Sequence, residues 1–253
     1  MRVAVFSDVH GNSIALDAVL ADIERVGGVD ASWFLGDAAM IGFDPVGTVG
    51  RLACWPNLVS VRGNGDRRLA TEPEIVREAT ERFIETASDD DAAIWRATYA
   101  EYLWGREVLR AAGLFDWLGA LPLEARLSLP DGTRVLLVHA APGTDEGPGI
   151  RADQSDEQLE DMLDGIEADL VVVGHTHRPL DRTFNGVRVW NPGSVSNPVT
   201  EDVRAMWTLL DADDTGYRLE RRFATYDVAG MLSRLAAVHH PAEAHIRGFW
   251  AGR

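Results

Sequence analysis

The stretch Arg2–Asn12, RVAVFSDVHGN, decides the reading of the fold. Arg2 to Ser7 is a short apolar run bounded by polar residues. After it the period changes: Ile14, Ala18, Val19, Ile23 and Val26 recur at helical spacing until Gly27 and Gly28 end the pattern. This is a strand, a loop and a helix. Working outward, Ala31 to Leu35 reads as a second strand, Val46 to Ala53 as a short helix and Leu58 to Val61 as a third strand. Such alternation implies crossover units and an α/β architecture with a largely parallel sheet. Each strand ends in a loop rich in Asp, Gly or Asn, and in α/β sheets the carboxyl ends of the strands are where ligands bind.

From Arg67 to Ala120 the texture changes to long helical patterns, Glu74 to Thr86, Asp91 to Trp104 and Arg106 to Leu118, rich in Trp, Phe and Tyr. We read residues of about 67–120 as a helical cap inserted into a single domain that spans 1–253. Its aromatic residues, including Trp95, Tyr99, Tyr102, Trp104, Phe115 and Trp117, either pack the inserted helices or stack on a substrate base. They also permit an oligomer through the insert. Asp89, Asp90 and Asp91 read as a solvated helix start, where the dipole favours acid.

After the insert, Leu123 to Leu129 and Thr133 to His139 flank a turn, Ser155 to Ile166 reads as a helix and Asp169 to Val173 as a buried strand. Arg182 to Phe184 with Val187 to Trp190, and Arg204 to Leu210 with Tyr217 to Arg221, read as hairpins, so the second half is expected to be mostly antiparallel. A short helix near Val228 to Leu235 precedes a tail whose His239, His240 and His245 are expected at the surface.

The 253 residues include 40 acidic and 24 basic ones, all 24 arginine, for a formal charge of −16. Binding along a nucleic-acid backbone by bulk charge is excluded as the main activity. Cys54 is the one cysteine, expected as a buried small hydrophobe, so no intrachain disulfide forms and any metal site must use nitrogen and oxygen ligands. With no leader pattern and no run of eighteen apolar residues, a cytoplasmic address and no membrane span are expected.

Four of the seven histidines, His10, His139, His175 and His177, fall in loops directly after strands, together with Asp8, Asp37 and Asn64. A lone histidine there is ordinarily structural and a lone Asp ordinarily caps a helix. Packing does not gather seven such residues at strand ends. Imidazole and amide donors mixed with two carboxylates suit Mn, Fe, Ni or Zn better than calcium.

The segments SDVHGN (Ser7–Asn12), LGD (Leu35–Asp37), RGNGD (Arg62–Asp66), VHAAPG (Val138–Gly143), GHTH (Gly174–His177) and NPGSVSNP (Asn191–Pro198) occur in this order. In them the chain resembles the calcineurin-like metallophosphoesterases, specifically the small bacterial and archaeal phosphodiesterase-type branch, from about Arg2 to Leu210. The resemblance implies a four-layer αββα sandwich. It also implies two divalent transition-metal ions, Mn being the choice for assay: Asp8, His10 and His177 on one, Asn64, His139 and His175 on the other, and Asp37 between them. The implied activity is hydrolysis of phosphodiesters or nucleotide phosphoanhydrides by a hydroxide held between the metals, with Asp37, Asn64 and His139 closest to the chemistry. The implied partner is a small phosphorylated substrate, nucleotides included.

Where many relatives carry a histidine after the ligand Asn, this chain has Gly65, which shifts the expected preference toward substrates with good leaving groups. Asp66 reads as a helix N-cap. Asn12 reads equally as a phosphate ligand or an N-cap, Arg62 and Arg67 as candidate phosphate clamps, and Asn191 to Ser194 as a support for the GHTH loop. The alternatives are a phosphomonoesterase, including a protein phosphatase, and a non-catalytic metal-stabilised binding scaffold of the same fold.

Overall fold

The computed structural model describes residues 1–252. Strands β1 (Arg2–Phe6), β2 (Ala31–Phe34) and β3 (Leu58–Ser60) alternate with helices α1 (Ser13–Arg25) and α2 (Pro45–Ala53). Both of these helix starts are side-chain capped, by Asn12 accepting from the Ala15 N–H and by Asp44 accepting from the Gly47 N–H. Later come β4 (Glu124–Ser128), β5 (Arg134–Val138), α7 (Asp156–Leu163), β6 (Leu170–Val172), β7 (Leu180–Phe184), β8 (Val187–Asn191), β9 (Ala205–Asp213) and β10 (Gly216–Ala224).

They form two five-stranded sheets, ordered β10-β9-β1-β2-β3 and β4-β5-β6-β8-β7. In the first, β1, β2 and β3 are parallel while β9 runs antiparallel to β1 and β10. In the second, β5, β6 and β8 are parallel and the edge strands β4 and β7 are antiparallel. The second half is mostly antiparallel, as expected, with hairpins β4-β5, β7-β8 and β9-β10, while β5-β6 and β6-β8 pair in parallel. The helix between β5 and β6 is long enough to carry the chain back for parallel pairing.

The period of two along each strand builds the layers. Val3 and Val5 meet Val135, Leu137, Leu170 and Val172 between the sheets, whereas Ala4 and Phe6 face outward to α1 and α2, and Leu136, Val138 and Val171 face α7. Strands buried on both faces read as unbroken apolar runs, which is what the sequence shows at β1, β5 and β6. The result is an αββα sandwich with the parallel strands of both sheets ending on one side.

Between β3 and β4 stand α3 (Asn64–Ala70), α4 (Pro73–Ile84), α5 (Asp89–Ala111) and α6 (Phe115–Gly119). Ser88 caps α5 and its three aspartates occupy the first turn, as the charge run implied. The break expected near Gly105 is absent, and α5 is continuous. A Cβ at residue 105 would sit 3.4 Å from a Leu69 methyl, so the glycine serves close helix approach. Arg106, 2% exposed, donates to the carbonyls of Leu69 and Thr71 beyond it. Leu69, Tyr102, Leu109 and Leu118 join the outer core beside α1 and α2, while α4 buries no residue.

Helices α8 (Val228–Ala237) and α9 (Glu243–Gly248) pack Met231, Leu235, Ile246 and Trp250 on Phe43. His240 is buried between them, correcting its expected surface position; its Nδ1 accepts from the Ala242 N–H and its ring sits edge-on to Trp104 at 4.9 Å. Burial pushes its pKa down to about 4. Cys54, expected to be buried, is exposed at the end of α2.

Candidate metal centre

Every one of the seven singled-out residues lies just past the end of a parallel strand. Asp8 and His10 follow β1, Asp37 follows β2, Asn64 opens the helix after β3, His139 follows β5, and His175 and His177 follow β6. The two sheets therefore contribute facing halves of one site. Five of these residues take left-handed backbone conformations, with φ of +59° at Asp8, +48° at His10, +61° at Asp37, +65° at His175 and +56° at His177. Side chains other than glycine are strained there, and such strain concentrates at functional sites.

Asp8, His10 and His177 converge: Asp8 Oδ1 lies 3.3 Å from His177 Nε2 and 3.7 Å from His10 Nε2, and the two Nε2 atoms are 3.0 Å apart. On the other side Asn64 Oδ1 lies 3.2 Å from His139 Nε2 and 3.0 Å from His175 Nδ1. Asp37 Oδ2 stands between the clusters, 3.8 Å from His10 Nε2 and 3.6 Å from His139 Nε2. Its Oδ1 accepts from the Gly65 N–H at 2.8 Å.

Each histidine ring has its other nitrogen on a backbone carbonyl. His10 Nδ1 donates to Met40 O at 2.8 Å, His139 Nδ1 to Leu35 O at 2.6 Å, His177 Nδ1 to Asn197 O at 2.7 Å and His175 Nε2 to Gly147 O at 2.8 Å. These bonds set the tautomers and leave four lone pairs aimed inward. Buried Asp8 Oδ1 has no hydrogen-bond donor. Converging electron pairs with no proton between them are what a cation requires, so the donor set fits a divalent first-row metal on each side.

Electrostatics agree. Burial works against charge on Asp8, yet the imidazoles of His177, His139 and His10 hold it below the usual carboxylate range. Burial also opposes charge on His139 and His177, but Asp37 and Asp8 raise both. His10 is held low, chiefly by burial.

The supporting residues are less visible in the sequence. Asp66 is not the N-cap. It sits in the first turn of α3 and accepts from the N–H groups of Asp37 at 2.8 Å, Ala38 at 2.9 Å and Gly63 at 2.9 Å, tying the β2 and β3 loops together. Burial and then the Asp37 charge push its pKa up to about 7. Asn191 Nδ2 donates to Gly174 O at 2.7 Å and Thr176 Oγ1 at 3.2 Å, the support expected of the NPGS segment.

Glu101, on α5 and 1% exposed, accepts from the Ile41 N–H at 2.8 Å. Ile41 itself is left-handed at φ +66°, and its carbonyl accepts from Asn197 Nδ2 at 3.1 Å. Through Met40, Ile41 and Asn197, the helical segment thus reaches the backbone carbonyls that orient His10 and His177. The available signal was a glutamate on the same helical stripe as Tyr102 and Leu109.

Three candidate phosphate contacts, Asn12, Arg62 and Arg67, are engaged within the chain. Asn12 Oδ1 accepts from the Ala15 N–H and its Nδ2 donates to Ser196 Oγ, so of the two readings the structure shows the N-cap. Arg62 and Arg67 pair with Asp145, and Arg67 and Arg68 with Glu146, placing a guanidinium cluster beside Gly147 rather than free arginines.

A family model for the calcineurin-like phosphoesterase superfamily domain matches residues 1–215. The uncharacterized protein MJ0912 of Methanocaldococcus jannaschii is 27% identical over 241 residues, covering 89% of this chain and 88% of that protein. A metallophosphoesterase of Sphaerobacter thermophilus superposes with a TM-score of 0.74 at 25% identity, over 100% of this chain and 99% of its own. The hypothetical protein PH1004 of Pyrococcus horikoshii superposes at 0.77 with 22% identity, over 96% and 95% of the two chains.

Proposed function

Because the chain belongs to the calcineurin-like phosphoesterase superfamily, we propose that it is a dinuclear metal-dependent enzyme hydrolysing phosphodiesters or nucleotide phosphoanhydrides. Membership makes it a phosphoric ester hydrolase, and candidate metal ligands are in place. The observation that carries the finer reading is Asp37 Oδ2 at 3.8 and 3.6 Å from one histidine of each cluster, the position of a shared ligand.

Asp8, His10 and His177 would hold one ion, Asn64, His139 and His175 the other. When bound, two such ions activate a water for in-line attack and neutralise charge on the phosphoryl oxygens. The chain's own part is positioning. Gly65 N–H and the Asp66-held loop orient Asp37, and the backbone carbonyls of Met40, Leu35, Asn197 and Gly147 hold four rings at fixed tautomers.

Residue 65 supplies no imidazole for the leaving group. A Cβ there would lie 2.9 Å from Asp37 Oδ1, so this position favours an undisturbed Asp37 over a side chain. Substrates whose leaving group departs without a proton, such as aryl diesters and anhydrides, follow from that.

The test is initial rates on a bis-aryl phosphodiester and the matching aryl monoester, with chelator-stripped protein reloaded with Mn²⁺. The diester should turn over faster, and Asp37→Asn should lower the rate at least about a hundredfold. A faster monoester would move the enzyme to the phosphomonoesterases, and turnover unaffected by Asp37→Asn would remove the shared-ligand assignment.

A further inference from the structure

Along α3, which Asn64 opens, helices α3, α4 and α5 line a solvent-open cavity of about 250 Å³ whose walls include Met40, Ile75, Val76, Phe83, Trp95 and Tyr99. Phe83 and Trp95 stack at 4.6 Å between centroids with planes 6° apart, giving one flat aromatic wall. Tyr99 stacks on Tyr102 at 5.8 Å as another.

Three of the lining residues connect the cavity to the site. The Met40 carbonyl holds His10, and the Met40 Cβ lies 3.4 Å from where a side chain on Gly65 would begin. Arg67 is three residues from Asn64, and Glu146 precedes Gly147, whose carbonyl holds His175.

Four hydroxyls of the lining are spent inside the chain. Thr71 Oγ1 donates to Arg67 O, Thr80 Oγ1 to Val76 O, Thr98 Oγ1 to Ile94 O and Tyr102 OH to Thr71 O. Arg67 and Arg68 are paired with Glu146. A nucleobase would bury several hydrogen-bonding edges here against the Tyr99 hydroxyl and the Trp95 indole N–H alone, a cost that disfavours it as occupant. An alkyl or aryl group loses nothing and gains apolar contact.

We propose that this cavity receives the apolar organic arm of the substrate, so that the enzyme selects phosphoesters with an alkyl or aryl substituent over nucleotides. The inference rests on the proposed phosphoesterase reading only in placing the phosphoryl group at the metal ligands.

Binding separates the two. Methylphosphonate and hexylphosphonate are titrated calorimetrically into Mn²⁺-loaded protein, with Ala79→Trp filling the cavity from α4 and Trp95→Ala removing a wall. Up to about fourfold in affinity is expected per buried methylene. With two to three of its five extra methylenes buried, hexylphosphonate should bind about thirtyfold tighter than methylphosphonate, and the ratio should fall below about threefold in Ala79→Trp and decline in Trp95→Ala. Because α4 buries no residue, Ala79→Trp is expected to keep the fold, which circular dichroism verifies.

Equal affinities for the two phosphonates, or a chain-length advantage untouched by both variants, would overturn the proposal. So would a dimer that closes this face and dissociates in Ala79→Trp with no chain-length dependence. Preferential hexylphosphonate binding without hydrolysis of any ester would uphold the cavity and reject the enzymatic reading. Ester hydrolysis indifferent to arm length would do the reverse.

Discussion

Each of His10, His139, His175 and His177 has one ring nitrogen tied to a backbone carbonyl, so the position of those carbonyls sets the aim of the lone pairs. For His10 and His177 the carbonyls belong to Met40 and Asn197, and both lie on a path through Ile41 to the buried carboxyl of Glu101. Glu101→Ala is expected to weaken Mn²⁺ binding by roughly tenfold, as for other residues that orient ligands, while Glu101→Gln retains an oxygen for the Ile41 N–H and stays near wild type. Calorimetric titration of stripped protein reads this directly, and equal weakening in both variants would reject the hydrogen-bond explanation. The convergence of the seven residues was legible because imidazole, carboxylate and amide side chains recur at the ends of neighbouring strands. Glu101 and Asp66 were not, because their partners are backbone groups brought near only by tertiary folding. Arg62 and Asn12 carried the opposite difficulty: their residue types suit phosphate, and nothing in the sequence reveals that Asp145 and Ser196 engage them.

At the scale of elements, strand positions were readable from apolar runs, and helices from apolar residues at helical spacing. Helix continuity at Gly105 was not, since a glycine kept for close approach to Leu69 looks the same as one that ends a helix. The α8–α9 junction was equally hidden: His240 is polar in sequence yet buried against Trp104. That burial has a pH consequence. The folded-state pKa of about 4 lies below the ordinary 6.5, so the neutral ring is favoured by folding. Its contribution is fully present above pH 6.5 and is lost as pH falls from 6.5 toward 4. Wild type is expected to lose on the order of 2 kcal/mol over this window relative to His240→Phe. Urea unfolding of both proteins at pH 7 and pH 4.5 measures the difference, and parallel losses would place the buried histidine outside the acid sensitivity.

For the molecule as a whole, the site belongs to neither sheet alone. Asp8, His10, Asp37 and Asn64 come from the first sheet's strand ends and His139, His175 and His177 from the second's. Metal ions held there would clamp the two sheets at one end of the sandwich. At a hundredfold excess over Kd, Mn²⁺ should add about 2.7 kcal/mol for each occupied site, raising Tm by on the order of 10 °C for two. Thermal unfolding with and without chelator checks this, and a rise undiminished in Asp37→Asn would place the stabilising ion elsewhere. The layered architecture was visible from the unbroken apolar runs of β1, β5 and β6 and the hairpins of the second half from their turns, whereas the parallel pairing of β5, β6 and β8 depended on crossovers that local hairpin signals do not encode. One further consequence concerns descent. Five donors sit where the backbone would be more comfortable with glycine, so chemistry here is maintained against conformational preference. A lineage released from the reaction would meet little thermodynamic resistance to replacing those residues, while the alternating core would continue to hold the sheets together. Ancestry written in the architecture can then outlast the catalytic trade it once served.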